Sequence, residues 1–95
     1  MNQSRHDHLA TAHEALATAA ALVRPDGDDP VAGLSELSAV AVLVGYLAGE
    51  ARSELAEWGT VGPHLEQAQQ HAEALARSLR HASGTLAYNS SLQAA

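Results

Sequence analysis

Leu37-Ser38-Ala39-Val40-Ala41-Val42-Leu43-Val44-Gly45-Tyr46-Leu47-Ala48-Gly49 carries no charged residue, and from Ala39 onward it is apolar at every step. Its flanks have a clearer pattern. Leu34, Leu37, Ala41, Val44, Ala48, Ala51, Leu55 and Trp58 recur at the 3-4 spacing that places side chains on one side of an α-helix. Upstream, Leu9, Ala12, Leu16, Ala19 and Val23 form a similar row, and downstream Leu65, Ala68, Ala72, Leu75, Leu79, Ala82 and Leu86 form a third. Two Pro/Gly-containing breaks separate the rows. The spacing therefore predicts an all-α, up-down-up three-helix bundle with heptad-like Ala/Leu seams, associating into a larger helical bundle.

Local signals set the expected boundaries. Ser4, with Asp7 three residues on, has the form of a capping box, and Pro25 stops the first helix after about residue 24. Pro25-Asp26-Gly27-Asp28-Asp29-Pro30 reads as a loop whose Asp29 caps a second helix opened by Pro30. That helix is expected over 30–58, about 43 Å at 1.5 Å per residue. Gly59-Thr60-Val61-Gly62-Pro63 breaks it, and a third helix is expected over 63–84. The single domain is thus 1–88, with residues 1–3 loose and 89–95 a flexible tail.

Composition excludes several classes. The 95 residues include no Cys and no Phe, so there is no disulfide framework or thiolate metal site, and the core is thin because many seam positions are Ala. The formal charge is −6, with no Lys, which argues against a nucleic-acid partner, since phosphate binding needs clustered cations. The Lys-free, Ala- and Arg-biased composition suggests, by association only, a GC-rich bacterial genome. The start lacks the apolar stretch of a secretory signal, and the uncharged run Leu37–Gly49 is too short to span a bilayer, so the expectation is a cytoplasmic protein with no membrane partner.

The apolar middle of the second helix is the main candidate site. A helix apolar all round is normally buried all round. With two other helices to cover it, Val42 and Tyr46 point away from the seam, and Gly45 and Gly49 leave a strip where another helix can approach. The expected interface is Val42, Tyr46, Gly45, Gly49, Val40, Leu43 and Leu47. It serves self-association as a C2 homodimer or docks a helical protein partner.

Six histidines raise a metal reading. His6 and His13 are seven apart, as are His64 and His71, about 10 Å along a helix axis, so no single helix supplies a pair. His13-Glu14 is followed by Ala17 where a zinc-protease motif needs His, and no Glu-x-x-His is present. A site has to be assembled between helices one and three, which run parallel in the expected bundle, and His6, His8 and His71 are the candidates. Protonating all six His takes the formal charge from −6 to 0, so solubility or association is expected to change in mild acid. Asp26, Asp28 and Asp29 lack the spacing and late Glu of a calcium loop. Glu50, Glu54 and Glu57 have no acid-base complement, whereas Arg77, Arg80 and His81 suit a helix C-terminus or an acidic partner. With no marked nucleophile and no phosphate loop, the chain is expected not to be an enzyme and to need no cofactor.

An Ala-rich, Cys-free chain of this size with Trp58-Gly59 between two helices resembles the WXG100 family of type VII secretion substrates. The resemblance implies a secreted helical hairpin pairing into four-helix dimers. The family's turn is Trp-x-Gly, whereas Gly59 here follows Trp58 directly. Its Tyr-x-x-x-Asp/Glu signal would start at Tyr88, where position 92 is Leu.

Overall fold

The computed structural model describes residues 4–22 and 29–94. It is all-α, with three helices: α1 (Arg5–Ala21), α2 (Pro30–Glu54) and α3 (Gly62–Ala94). Residues 1–3, the row position Val23 and the loop positions Pro25 to Asp28 lie outside the described residues.

Both expected caps form. The Ser4 Oγ accepts from the Asp7 backbone N–H at 3.1 Å, and the Asp7 carboxylate accepts from the Ser4 N–H at 3.2 Å. Asp29 Oδ1 accepts from the N–H groups of Val31 and Ala32 at 3.0 and 3.3 Å, with Pro30 as the first helical residue. Each arrangement satisfies N–H groups that a helix start leaves unpaired. Three ends differ from the expected ones, the first being that of α1, which stops at Ala21 rather than about residue 24. α2 stops at Glu54 rather than residue 58, because the chain tightens into successive turns closed by Trp58 N–H to Leu55 C=O and Val61 N–H to Trp58 C=O, both 2.9 Å. α3 passes through Ser83-Gly84 and the expected flexible tail to Ala94. No proline follows Pro63, and Gly84 weakens a helix interior by only about 1 kcal/mol.

α2 and α3 form an antiparallel hairpin along a seam of small residues. Ser38, Ala41 and Gly45 on α2 are buried, as are Ala72, Ala76 and Ser83 on α3. Hydroxyls cross-link this seam. Ser38 Oγ donates to the Ala76 C=O at 3.0 Å, and Ser83 Oγ donates to the Val31 C=O at 3.2 Å. Since the Ser83 proton is committed there, Ser35 is the donor in the 3.1 Å Ser35–Ser83 contact.

This seam is not the one the apolar rows predict. On α3, Leu65, Ala72, Leu79 and Leu86 face α2 as expected, but Ala68, Leu75 and Ala82 are exposed, and Gln69, Ala76 and Ser83 take their place. On α2, Leu37 and Val44 stay half exposed while Ser38 and Gly45 are buried. Small side chains let two backbones approach closely, and the larger apolar residues are left one step round the helix.

α1 runs antiparallel to α2 at a distance. Arg5 Nη1 donates to Glu54 Oε1 at 2.6 Å at one end, and Leu16, Ala19 and Ala20 lie opposite Pro30, Leu34 and Leu37 at the other. No Cα of α1 comes within 8 Å of a Cα of α2 or α3, and none of its described residues is buried. α1 therefore stands off the α2–α3 hairpin, with α2 between α1 and α3. The molecule is an elongated slab of 57 × 30 × 20 Å, and its radius of gyration is 16.8 Å. A compact chain of this length has roughly 12 Å.

Candidate functional site: the open faces of α2

Opening α1 away from α3 divides the girth of α2 into three strips. The first is the small-residue strip against α3. Gly45 and Gly49 belong here and not to an outer interface. A Cβ built on Gly45 would stand 3.3 Å from the Ala72 Cβ, and one on Gly49 would stand 3.2 Å from the Gln69 amide nitrogen. Both glycines serve the intramolecular seam.

The second strip faces α1. Val40, Leu43, Val44 and Leu47 form the floor of an apolar groove of about 770 Å³, with Leu9 and Leu16 on its opposite wall. A second groove of about 600 Å³ continues it toward Pro30 and Leu37. Leu43 is 60 % exposed and Val44 52 %, so α1 shades this strip without sealing it. Val40, Leu43 and Leu47 share this surface with Val44 and are separated from Val42 and Tyr46, so the seven expected interface residues do not form one surface.

The third strip holds Val42 and Tyr46, 50 % and 63 % exposed, beside Glu73, Arg77 and Arg80 of α3 in a shallow groove of about 420 Å³. It is mixed in character. Glu50 holds the Tyr46 phenol above the ordinary tyrosine range by hydrogen bonding and by its negative charge, since both favour the protonated hydroxyl. Arg5 is held above its usual value by the hydrogen bond and charge of Glu54, with a smaller effect from Glu50. At this end of α1 the Arg5–Glu54 ion pair thus lies within the electrostatic reach of Glu50 and Tyr46.

The expected burial of the uncharged run fails. Among the described residues the only buried apolar side chains are Ala41, Ala72 and Ala76. With α1 held off, no element covers the larger residues. α2 is also longer than the uncharged run alone, since Ser, Gly and Ala extend it at both ends. By length and composition it suffices to cross a membrane, with a mean hydropathy of 1.8 over its most apolar stretch, of which 17 % is buried.

The proposed metal ligands are not assembled. His6 and His8 lie on α1 and His71 on α3, with α2 between, and no group of three His, Asp or Glu among the described residues is placed to hold an ion. α1 and α3 would have to be adjacent for these histidines to meet. Trp58 and Gly59 lie in the α2–α3 connection, with the indole 60 % exposed. Arg77 and Arg80 are in mid-helix because α3 runs on, so they do not serve as its C-terminal cations. Of the expected seam residues Leu37, Val44 and Leu75, all about half exposed, Val44 is the one within the apolar groove facing α1. Its signal was the smallness of its neighbours Ala41, Gly45 and Ala48, which suit the closer contact.

Comparison with known proteins gives no match to the chain in any protein family, among curated proteins or among solved structures.

Proposed function

We propose that this chain is a non-catalytic interaction module that works by association, pairing with a second copy through the exposed side of α2 and serving as an adaptor or assembly component. One observation carries the reading: among the described residues the buried apolar side chains are three alanines, while Leu37, Leu43 and Val44 remain about half exposed. An alanine methyl contributes about 0.8 kcal/mol on burial. That is little against the conformational entropy of ordering a chain, about 1 kcal/mol or more per residue. A second surface over α2 supplies the missing burial. The accessible surface agrees, at 7455 Å² against roughly 5,200 Å² for a compact chain of this mass.

An aqueous partner fits better than a bilayer. The small-residue strip of α2 is packed on α3, which carries Glu66, Glu73, Arg77 and Arg80 and does not enter hydrocarbon cheaply. The test is light scattering behind a sizing column over a wide range of loading concentrations, together with fractionation of expressing cells. A dimer from the soluble fraction supports the reading, and Leu43→Glu should convert it to monomer. A monomer at every concentration, or recovery in the membrane fraction, overturns it.

A further inference from the structure

We infer that α1 is a displaceable cover over the association face of α2, so that α1 and a second copy compete for one strip; the inference rests on the association proposed above. The strip has a facing element in the structure. α1 runs antiparallel across it, and Leu9, Ala12 and Leu16 line the same groove as Leu43, Val44 and Leu47. Leu16 and Ala19 carry the row on toward Pro30 and Leu37. The far side of α1 differs in character. At about 100° per residue its two carboxylates, Asp7 and Glu14, fall roughly opposite Ala12, and neither lines either groove. α1 is thus turned to α2 by its leucines.

The cover is held loosely. No Cα of α1 lies within 8 Å of a Cα of α2, none of its described residues is buried, and Leu9 and Leu16 stay 45 % and 44 % exposed. Among the described residues the polar tie between α1 and α2 is the 2.6 Å Arg5–Glu54 pair, both side chains about half exposed. An exposed pair of this kind shifts an equilibrium by at most about five-fold. Facing apolar walls that do not touch forgo the burial each could have, so the strip is open to exchange between α1 and a partner. The exchange is exclusive. A helix packs on another with its axis about 8–10 Å away. A second copy seated on Leu43 and Val44 therefore needs the side over which α1 stands, and α1 has to move off it.

The chain has no Cys, so a thiol pair can lock the cover in place. Ala12→Cys combined with Val44→Cys puts thiols on facing walls of the groove. Oxidised in dilute solution, the pair should form a disulfide within one chain, which requires α1 to close, since a disulfide needs Cα atoms about 4.4–6.8 Å apart. The locked chain should scatter as a monomer at loadings where the reduced form is a dimer, and reductant should restore the dimer. A locked chain that still dimerises, or thiols that stay free in a chain that dimerises, would overturn the cover and leave self-association standing. Wild type and variant monomeric at every loading would overturn the association reading, and the competition with it. Arg5→Ala and Glu54→Ala give a second readout, since both cut the tie while moving the net charge in opposite directions. Each should dimerise at about two- to five-fold lower concentration than wild type. Shifts of opposite sign would follow net charge instead, and would overturn the tie as the latch.

Discussion

Replacing Gly45 by alanine sets two effects against each other, and the balance reports how closely α2 and α3 are packed. A helix-interior Gly→Ala change stabilises by about 1 kcal/mol, because glycine has more backbone freedom to lose on folding. For a domain of this size that corresponds to a rise of about 4–8 °C in Tm. Gly84 in α3 is the clean reference, since an added Cβ meets nothing within 4 Å, and Gly84→Ala should show the full gain. At Gly49 the new methyl meets the end of the Gln69 side chain at 3.2–3.3 Å, which can swing aside, so Gly49→Ala should keep most of it. Gly45 is different. The new methyl stands 3.3 Å from the Ala72 Cβ, an atom with no rotamer to change, and 3.7 Å from the Gln69 carbonyl oxygen. Relief requires a shift of the α3 backbone, which loosens the Ala41, Ala72 and Ala76 packing and stretches the 3.0 Å Ser38–Ala76 hydrogen bond. Gly45→Ala is therefore expected at or below the wild-type Tm, and Gly45→Leu should lose about 1–3 kcal/mol by overpacking. The assay is thermal unfolding by far-ultraviolet circular dichroism at one fixed protein concentration, because association makes Tm concentration-dependent. If Gly45→Ala raised Tm as much as Gly84→Ala, the close small-residue seam would be refuted.

Ser38→Ala should cost about 1 kcal/mol, the usual net worth of one hydrogen bond, and a urea midpoint shift at unchanged slope would register it. Because Glu50 raises the Tyr46 phenol, any stability from that contact is present below the ordinary tyrosine pKa and is lost as pH climbs through the raised one. Glu50→Gln should therefore lower the midpoint of the Tyr46 absorbance titration, and an unmoved midpoint would refute the pairing. Arg5→Ala removes an ion pair whose partners are about half exposed, so global unfolding should stay unchanged while α1 exchanges its amide protons faster. Removing residues 89–95 should leave Tm unaltered. Ser83 is already level with Val31 at the start of α2, so the later turns of α3 overhang the hairpin.

Much of this molecule was legible before any coordinates. Three helices follow from three apolar rows, and their starts follow from chemistry within four residues: Ser4 with Asp7, and Asp29 with Pro30. Such local hydrogen bonds do not depend on what the helix later packs against. The α2 terminus was less legible, because a turn closed by backbone bonds around Leu55 to Trp58 leaves the apolar spacing intact. The seam was decided only in three dimensions. Periodicity marks every apolar residue as a candidate for burial and favours the large ones, so it chose Leu37, Val44 and Leu75. Helices on close approach select instead for the absence of volume, and so Ser38, Gly45, Ala76 and Ser83 took the contact. The histidines show the same division. Their spacing along the chain ruled out a site on one helix, but whether α1 meets α3 is a tertiary matter, and α2 lies between them. The sequence by itself therefore determined that the chain is helical, where its helices begin, and that the middle of α2 is apolar all round. Only the tertiary structure decided which strip of α2 is spent on α3 and which remain open, because that depends on how near two backbones can come.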